Sequence, residues 1–415
     1  IKEKNPLWNG FTYSYDSKNN LIEKRQKSDV DSENNTNDIV VSFEYDEVFN
    51  KITKEILPNG TAINYTLDNF WNVVEKQTIS QNIETLESFE YNELWQLVSK
   101  TDANGNISNF EYINWNLSKI IKIWTLENIE TNFEYDSKWN ITKIIDWEWN
   151  ETNLSYDDFN LLVSQITPEW IHTNFEYNSL NKKTKETIIL NDTTNKITSF
   201  EYDILDNPTN VTTNIDSQRN KTLVTKYDND SRIIETQNWS NAKNTFEYDE
   251  NGNITKKSTI LNDNTQIITN YVYDLNNRLI KQINPNNSEI NFEYDLFNRL
   301  IRVVNSDSSY TTNTYDNMWN ILETKNYDWN DDLVSKTSFE YDGLTRKTKQ
   351  INHLLEENKQ ITTSFVYDNN WNILSQSNAL NQTTTFLYDS FNRLVKTTDN
   401  LWNIIEYKYN KNDKL

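Results

Sequence analysis

The 415-residue chain has no cysteine, two histidines, five glycines and no long apolar run. Without cysteine there is no disulfide framework, thiolate metal site or cysteine nucleophile. No window approaches the roughly 18 consecutive apolar residues of a membrane-spanning helix, so we predict no membrane span. A glycine-poor chain cannot easily bring backbone amides onto a phosphate, and the P-loop, Gly-x-Ser-x-Gly and GxGxxG motifs are all missing.

Residues able to carry chemistry are few or scattered. His172 and His353 have no partner at metal-ligand spacing and are predicted to be surface residues. The acidic pairs Asp157-Asp158 and Asp331-Asp332 are interpreted as solvated loop acids, because no glycosidase pair can be distinguished in so acidic a chain. We therefore assign no catalytic, cofactor-binding or metal-ligating residue and predict that the chain is not an enzyme and takes no cofactor.

The charge balance excludes another class of partner. Sixty-two acidic residues against 40 basic ones give a net charge of −22. Such a surface repels phosphate backbones, so we predict no nucleic-acid partner.

What the chain has in abundance is aromatic residues, 23 Tyr and 17 Phe among them, and these recur in a repeat. The anchor is an aromatic-x-Tyr-Asp quartet, for example Phe133-Glu134-Tyr135-Asp136. Eight of the seventeen intervals between successive tyrosine slots are 21 residues. The slots are 15, 45, 67 (Leu67), 91, 112, 135, 156, 177, 202, 227, 248, 273, 294, 315, 341, 367, 388 and 409. A period this short indicates a repeat array rather than two or three globular domains.

The pattern within one unit predicts β-structure. Phe133 and Tyr135 alternate with Glu134, which places both rings on one strand face, expected to be dry. A second β-branched run follows at Ile141–Ile145, so each unit is predicted to be two antiparallel strands around a tight turn. The acids after the tyrosine, such as Asp136, Asp249 and Asp389, are predicted to accept backbone N–H bonds in Asx-turns.

Two turn slots in each unit call for residues that tolerate positive φ. The slot four residues after the tyrosine holds Gly252, Asn277, Asn298, Asn392, Asp206 and Ser231, and a second, fourteen after the tyrosine, holds Gly105. Tryptophan, which is locally inconsistent there, fills ten such positions. These are Trp71, Trp95, Trp139, Trp319 and Trp371, the displaced Trp115, then Trp149, Trp170 and Trp402, with Trp8 in the same phase.

Two interpretations of these tryptophans are open. An aromatic surface ladder would stack on sugars, because exposed rings present flat apolar faces. Alternatively, UGA codons have been written as Trp although the source organism reads them as Gly, as some bacterial lineages do. We favour the second interpretation, because it also explains why glycine is so far below the usual ~7%.

The segments 273–279, 294–300 and 388–394 read YDLNNRL, YDLFNRL and YDSFNRL, and they resemble the YD repeat of the Rhs family. That family includes bacterial polymorphic toxins, wall-associated proteins, toxin-complex C components and teneurins. The resemblance implies an all-β fold of tandem hairpins in a spiralling sheet or hollow shell, which in many bacterial members encloses a toxic C-terminal domain. No Pro/Gly/Asn-rich core segment of the kind that follows the repeats in those members is found.

From the repeat and the resemblance together we expect residues 1–415 to be one continuous array of about 18 units, with both ends cut within the pattern. The expected function is that of a shell segment of an exported Rhs-type protein, secreted or at the cell surface. Its expected partner is a fused C-terminal effector domain that is not in this chain. The alternatives are a surface adhesin that binds glycans or a cell-surface receptor, and a polysaccharide-active β-solenoid enzyme, which needs acids clustered in a groove.

Overall fold

A computed structural model of the chain describes residues 10–27, 38–123, 128–191, 194–214, 219–389 and 392–409, and the backbone of residues 2–4. Within these ranges the regular structure consists of strands, 36 in all, joined in one sheet. The predicted all-β fold is confirmed. The strands are β1 (Lys2–Lys4), β2 (Gly10–Tyr15), β3 (Leu21–Lys27), β4 (Ile39–Tyr45), β5 (Ile52–Ile56), β6 (Ala62–Leu67), β7 (Val73–Ser80), β8 (Ile83–Tyr91), β9 (Leu97–Thr101), β10 (Ile107–Ile113), β11 (Asn116–Ile123), β12 (Asn128–Tyr135), β13 (Ile141–Ile145), β14 (Glu151–Tyr156), β15 (Leu162–Ile166), β16 (His172–Tyr177), β17 (Lys183–Asn191), β18 (Thr194–Tyr202), β19 (Pro208–Asn214), β20 (Asn220–Tyr227), β21 (Ile233–Gln237), β22 (Lys243–Tyr248), β23 (Ile254–Ile260), β24 (Gln266–Tyr273), β25 (Leu279–Ile283), β26 (Glu289–Tyr294), β27 (Leu300–Val304), β28 (Tyr310–Tyr315), β29 (Ile321–Tyr327), β30 (Leu333–Tyr341), β31 (Lys347–Leu354), β32 (Lys359–Tyr367), β33 (Ile373–Ser377), β34 (Thr383–Tyr388), β35 (Leu394–Thr398) and β36 (Ile404–Glu406).

The sheet is a simple meander in which each strand pairs antiparallel with the strand before it and the strand after it. The even-numbered strands from β2 to β34 reach the tyrosine slots at their C-terminal ends. Each unit is therefore two strands, as predicted. The turns that follow the tyrosine slots line one edge of the strip, here called the YD edge, and the remaining turns line the opposite edge.

One turn geometry recurs at both edges, and the unit of Tyr135 illustrates it. The Trp139 N–H donates to the Asp136 carbonyl at 3.1 Å, and the Asp136 N–H donates to the Asn140 carbonyl at 3.0 Å. Trp139 has a φ of 69°, and the register shifts by one residue beside Tyr135. This is a type I turn followed by a left-handed residue and a bulge, the usual three-residue hairpin connection.

Where an aspartate opens the turn, it caps the turn as predicted, as Asp136 and Asp249 show. Asp136 Oδ1 accepts the N–H groups of Lys138 at 2.8 Å and Asn140 at 2.9 Å, while Oδ2 accepts the Asn140 amide at 2.9 Å. Asp249 makes the same three bonds with Asn251 and Asn253. These hydrogen bonds, from the Asn140 side chain first and its backbone second, lower the pKa of Asp136.

Tyrosine hydroxyls join neighbouring units. Tyr135, at the end of β12, donates its O–H to the Leu117 carbonyl of the preceding strand β11 at 2.7 Å. Equivalent bonds of 2.6 to 3.0 Å are made by Tyr45, Tyr112, Tyr177, Tyr202, Tyr227, Tyr248, Tyr294, Tyr315, Tyr341, Tyr367 and Tyr409. Each such bond satisfies a carbonyl at the start of an odd-numbered strand and holds one unit to the next.

Arginine at the end of a YD-edge turn makes a second link. Arg299 pairs with Asp295 of its own turn at 2.6 Å, lies over the Tyr315 ring at 5.1 Å, and donates to the Asp316 carbonyl at 2.7 Å. One side chain thus contacts its own turn and both defining residues of the next unit, as guanidinium groups do when they combine ion pairing with stacking.

The expectation of a dry aromatic face is wrong. Phe133 and Tyr135 are only half-buried, and the buried apolar residues of the described chain are Ile39 and Ile129. The reason is that the sheet is a single layer, so neither face is covered by a second layer. Hydrogen bonding and cross-strand packing replace a core.

We expect the tyrosine hydroxyl to be worth about 1 kcal/mol per unit, the usual net value of a partly buried hydrogen bond. Tyr135→Phe should therefore lower the free energy of unfolding by about that amount, measured by denaturant melts. Leu67→Tyr is the reciprocal variant, because Leu67 occupies a tyrosine slot without a hydroxyl. It should be stabilising, and a loss of stability in that variant would contradict the assigned role.

We expect Asp136→Asn to lower the melting temperature at pH 7, since a charged carboxylate accepts the turn N–H groups more strongly than an amide does. The folded-state pKa of Asp136 is lowered. Its contribution is therefore present above the ordinary carboxyl pKa of about 4 and lost as pH falls through the folded value. The two proteins should melt together at about pH 2. Glu134→Gln, an exposed carboxylate outside the turn, is the control; a difference for Asp136→Asn that persists at low pH would refute this account.

Candidate functional site, a seam between distant parts of the strip

The two edges of the strip meet. YD-edge turns 342–346 and 368–372 lie against opposite-edge turns 57–61 and 102–106, and the contacts join residues 264 to 284 positions apart in the chain. These four turns are called the seam. They are brought together by winding of the sheet, since no strand pairing links them.

At one end of the seam a glycine carbonyl is the acceptor. The Gly343 carbonyl accepts a hydrogen bond from Asn59 Nδ2 and another from Thr61 Oγ1, both at 2.8 Å. Thr61 and Ser80 are 2% and 3% exposed, and their hydroxyls lie 2.5 Å apart. A Cβ on Gly343 would lie 1.9 Å from Ser80 Oγ, so only glycine fits against the opposite edge.

At the other end the contact is a polar network between turns. Asn104 donates to Asp368 Oδ2 at 3.0 Å and accepts the Asn369 N–H at 3.0 Å, while Asn370 donates to Asp102 Oδ2 at 2.8 Å. Burial raises the pKa of Asp102, but hydrogen bonds from Asn106 and Asn370 outweigh it and the net pKa is lowered. The aspartates that cap these turns thus also accept hydrogen bonds across the seam, through oxygen lone pairs that capping does not use.

Arg346 holds the two YD-edge turns of the seam together. It is 7% exposed, pairs with Asp342 at 2.7 Å, and donates to the Asp368 carbonyl at 2.6 Å. Its guanidinium also lies 5.1 Å from the centre of the Tyr367 ring. Arg299 makes the same link elsewhere in the strip. At Arg346 the link fixes the spacing of the two turns that dock on the opposite edge.

Beside the seam lies a cavity of about 640 Å³ bounded by both parts of the strip. The early strands contribute a cross-strand row in which Glu87 bridges Lys76 at 2.9 Å and Lys100 at 3.1 Å. Leu344 and Trp371 of the docked turns line the other side. The charges on this wall are paired, and the cavity is the space left between two successive turns of the winding sheet.

The residues considered for chemistry are spread over the sheet. His172 and His353 each face a serine on a neighbouring strand, with Nε2 2.9 Å from Ser164 Oγ and 3.0 Å from Ser338 Oγ. They are half-buried in the sheet, so the expectation of surface histidines is only partly met. In the described ranges no group of three or more His, Cys, Asp or Glu side chains is arranged to hold a metal ion.

The acidic pairs belong to turns, as interpreted. Asp157 Oδ1 accepts the N–H groups of Phe159 and Leu161, and the exposed Asp158 lies 3.7 Å from Lys138. Asp331 has a φ of 71° and accepts the Tyr310 hydroxyl. The two pairs lie in different turns of the strip, after β14 and after β29.

The described part of the chain contains no helix long and apolar enough to cross a membrane.

One family model matches part of the chain. Residues 149–262 and 177–330 match the Teneurin YD-shell family, which confirms the YD-repeat resemblance over that stretch. No curated protein sequence matches the chain.

Among solved structures, TcdB2-TccC3-TEV is similar with a TM-score of 0.57 at 14% identity over 96% of this chain. TcdB2-TccC3 without its hypervariable C-terminal region is similar with a TM-score of 0.57 at 13% identity over 97%. The chain spans about a quarter of the length of these relatives, 25% in each case. The likeness establishes the fold.

Gly343→Ala should open or strain the seam, at a cost of about 1 to 3 kcal/mol as in other overpacked contacts. Ser80→Gly combined with it should restore much of the stability, because the clash involves the Ser80 side chain. Gly252→Ala is the matched control. Gly252 lies in a turn outside the seam with a φ of 86° and no close neighbour, so its cost is conformational and Ser80→Gly should not relieve it. Equal behaviour of the two glycine variants in thermal melts would contradict the seam contact.

Proposed function

We propose that this chain is a wall segment that encloses another part of the same protein. The chain matches the YD-shell family over residues 149–330 and is similar in fold to TcdB2-TccC3. The observation that carries the proposal is the seam. A flat or open sheet would leave its two edges apart. Here the YD edge docks on the opposite edge, at turns that lie much earlier in the chain. The strip therefore winds around a space.

The strand count gives the size of that space. One circuit runs from β6 to β30 at one end of the seam, which is 25 strands, and from β10 to β32 at the other, which is 23. At about 4.8 Å per strand the perimeter is roughly 110 to 120 Å, or roughly 35 to 40 Å across a circular section. When about 10 Å is subtracted from this diameter for the layer of side chains, the remaining interior is wide enough for an extended or partly folded polypeptide.

The occupant we propose is a C-terminal effector domain fused to the repeats in a longer, exported protein. Residues 1–415 would then be one continuous stretch of about 18 units within that shell. Two things support this proposal. The sheet has no core of its own to account for its size, and the similar protein TcdB2-TccC3 has a hypervariable C-terminal region. Secretion or display at the cell surface follows from the same resemblance.

We propose no catalytic activity for the wall itself. The aspartates that recur in the repeat are engaged as turn caps, as Asp136 and Asp157 show. A polysaccharide-active enzyme needs carboxylates facing each other across a groove, whereas the acidic pairs singled out in the sequence lie in separate turns.

A second candidate function, glycan or receptor binding, is favoured by one observation. Exposed rings lie in a row on the YD edge, where Phe49 is 4.4 Å from Trp71 and Phe70 is 6.3 Å from Trp95, measured between ring centres. Exposed rings in a row present flat apolar faces suited to sugars. A glycan array with the chain and with a Phe49→Ser, Phe70→Ser variant tests it, and binding that the variant loses would favour this function over enclosure.

The test of enclosure is limited proteolysis of the full-length gene product. The C-terminal domain should be cut at least tenfold more slowly in the intact protein than when expressed alone. The seam variant Gly343→Ala should shorten that protection, while Gly252→Ala, in a turn outside the seam, should not. Equal cleavage rates for the fused and free domain, in a protein whose repeats remain folded, would refute enclosure.

A further inference from the structure

Tryptophan occupies a conformation that its side chain disfavours, and it does so repeatedly. Nine tryptophans have φ between 60° and 75°: Trp71, Trp95, Trp115, Trp139, Trp149, Trp170, Trp319, Trp371 and Trp402. The left-handed region is rare for residues with a Cβ and is an outlier for bulky ones. Trp8, which shares their phase in the sequence, lies outside the described residues.

The other residues at positive φ are of a different kind. Nineteen further non-glycine residues have positive φ, and all are polar: thirteen are Asn, two Asp, two Ser, one Thr and one Gln. Asn and Asp tolerate this region because their short side chains bond to the local backbone. No Phe or Tyr is among them, although both are more abundant than Trp in this chain.

Tryptophan is also missing from where an aromatic residue belongs in a β-protein. Twenty-one of the 23 tyrosines and twelve of the 17 phenylalanines lie in strands, as β propensity leads one to expect. None of the twelve tryptophans in the described ranges does. A residue that avoids strands and collects in left-handed turns has the distribution of glycine.

One turn is diagnostic in itself. Between β10 and β11 the chain reverses through Asn114 and Trp115, both at positive φ, with Ile113 paired to Asn116. This is a two-residue hairpin of the type that requires positive φ at both central positions, for which Asn-Gly is the preferred pair. With glycine at residue 115 the two central residues become Asn-Gly, the pair preferred for this turn.

Three of the five glycines written in the sequence occupy positions of the same type. Gly60, Gly105 and Gly252 have φ between 83° and 86°, and Gly343 is the close contact of the seam. Five glycines in 415 residues are far fewer than the roughly 29 that a usual content of ~7% implies. The fold thus has more positions that favour glycine than the sequence has glycines, and tryptophan occupies nine of these positions.

We propose that the nine tryptophans at positive φ are glycine in the native protein, encoded by UGA in an organism that reads this codon as glycine. The aromatic-ladder interpretation explains less. The nine rings are 47% to 85% exposed, they divide between both edges of the strip, and a functional ladder does not account for the absence of Phe and Tyr from the same turns.

Glycine at these positions changes both the cavity beside the seam and the aromatic row that favours glycan binding. Trp371 lies in a docked turn and lines the adjoining cavity, so glycine there widens the space between the two circuits. The row on the YD edge that favours glycan binding depends on Trp71 and Trp95. With glycine at both positions that row is reduced to isolated phenylalanines, and enclosure gains support.

The decisive experiment is peptide mass spectrometry of the protein purified from its source, together with the codons at the nine positions. Glycine at residues 139 and 371, with UGA at both codons, is the expected result. Tryptophan in these peptides, or UGG at the nine codons, would overturn the proposal.

A folding experiment gives an independent readout. Two versions of the chain, synthesised with UGG or with a standard glycine codon at all nine positions, should differ, and the glycine version should melt at the higher temperature. The control replaces Trp147, Trp239 and Trp329, which lie in turns but not at positive φ, and should give no such gain. A glycine version less stable than the tryptophan version would count against the proposal.

Discussion

The structure depends on a chain reversal that, in each turn the structure describes between two strands, is completed with at least one residue in the left-handed region. The described sheet is a single layer, and most of its strands are joined by short turns that keep neighbouring strands paired. The Asp-capped turn satisfies this requirement because the Asp136 carboxylate binds two backbone N–H groups and one side chain in five residues. The requirement that follows is a residue at the fourth position that accepts positive φ.

The same turn provides the lateral contacts that stand in for a core. Once Asp295 is fixed, Arg299 is fixed with it and reaches the ring and carbonyl of the next unit. Tyrosine hydroxyls add a bond between successive units. Each unit is thereby stabilised mainly by its two neighbours, so stability should be approximately additive along the strip, as in other repeat proteins.

Local features were predictable from sequence, and contacts between distant units were not. The two-strand unit, the capping role of Asp136 and the turn slots all follow from period and turn chemistry, and positive φ at Trp139 and Trp149 confirms that the slots were correctly located. The dry face was predicted wrongly because alternation shows which residues share a face but not whether anything covers it. The seam could not be predicted, since docking of Asn104 on Asp368 depends on the twist accumulated over some two dozen strands.

Gly343 shows how a contact outside the repeat can still leave a trace in the sequence. In its turn the left-handed position is taken by Thr345, with a φ of 65°, so glycine at 343 is not explained by backbone conformation. It is explained by Ser80 of a distant strand, which leaves no room for a Cβ. In a repeat whose glycine slots are known from the turn geometry, Gly343 lies outside those slots and marks a place where another part of the strip approaches. Within the described residues, the seam joins distant parts of a row of equivalent hairpins into a wound strip, and Gly343 is where the sequence departs from the repeat to allow this contact.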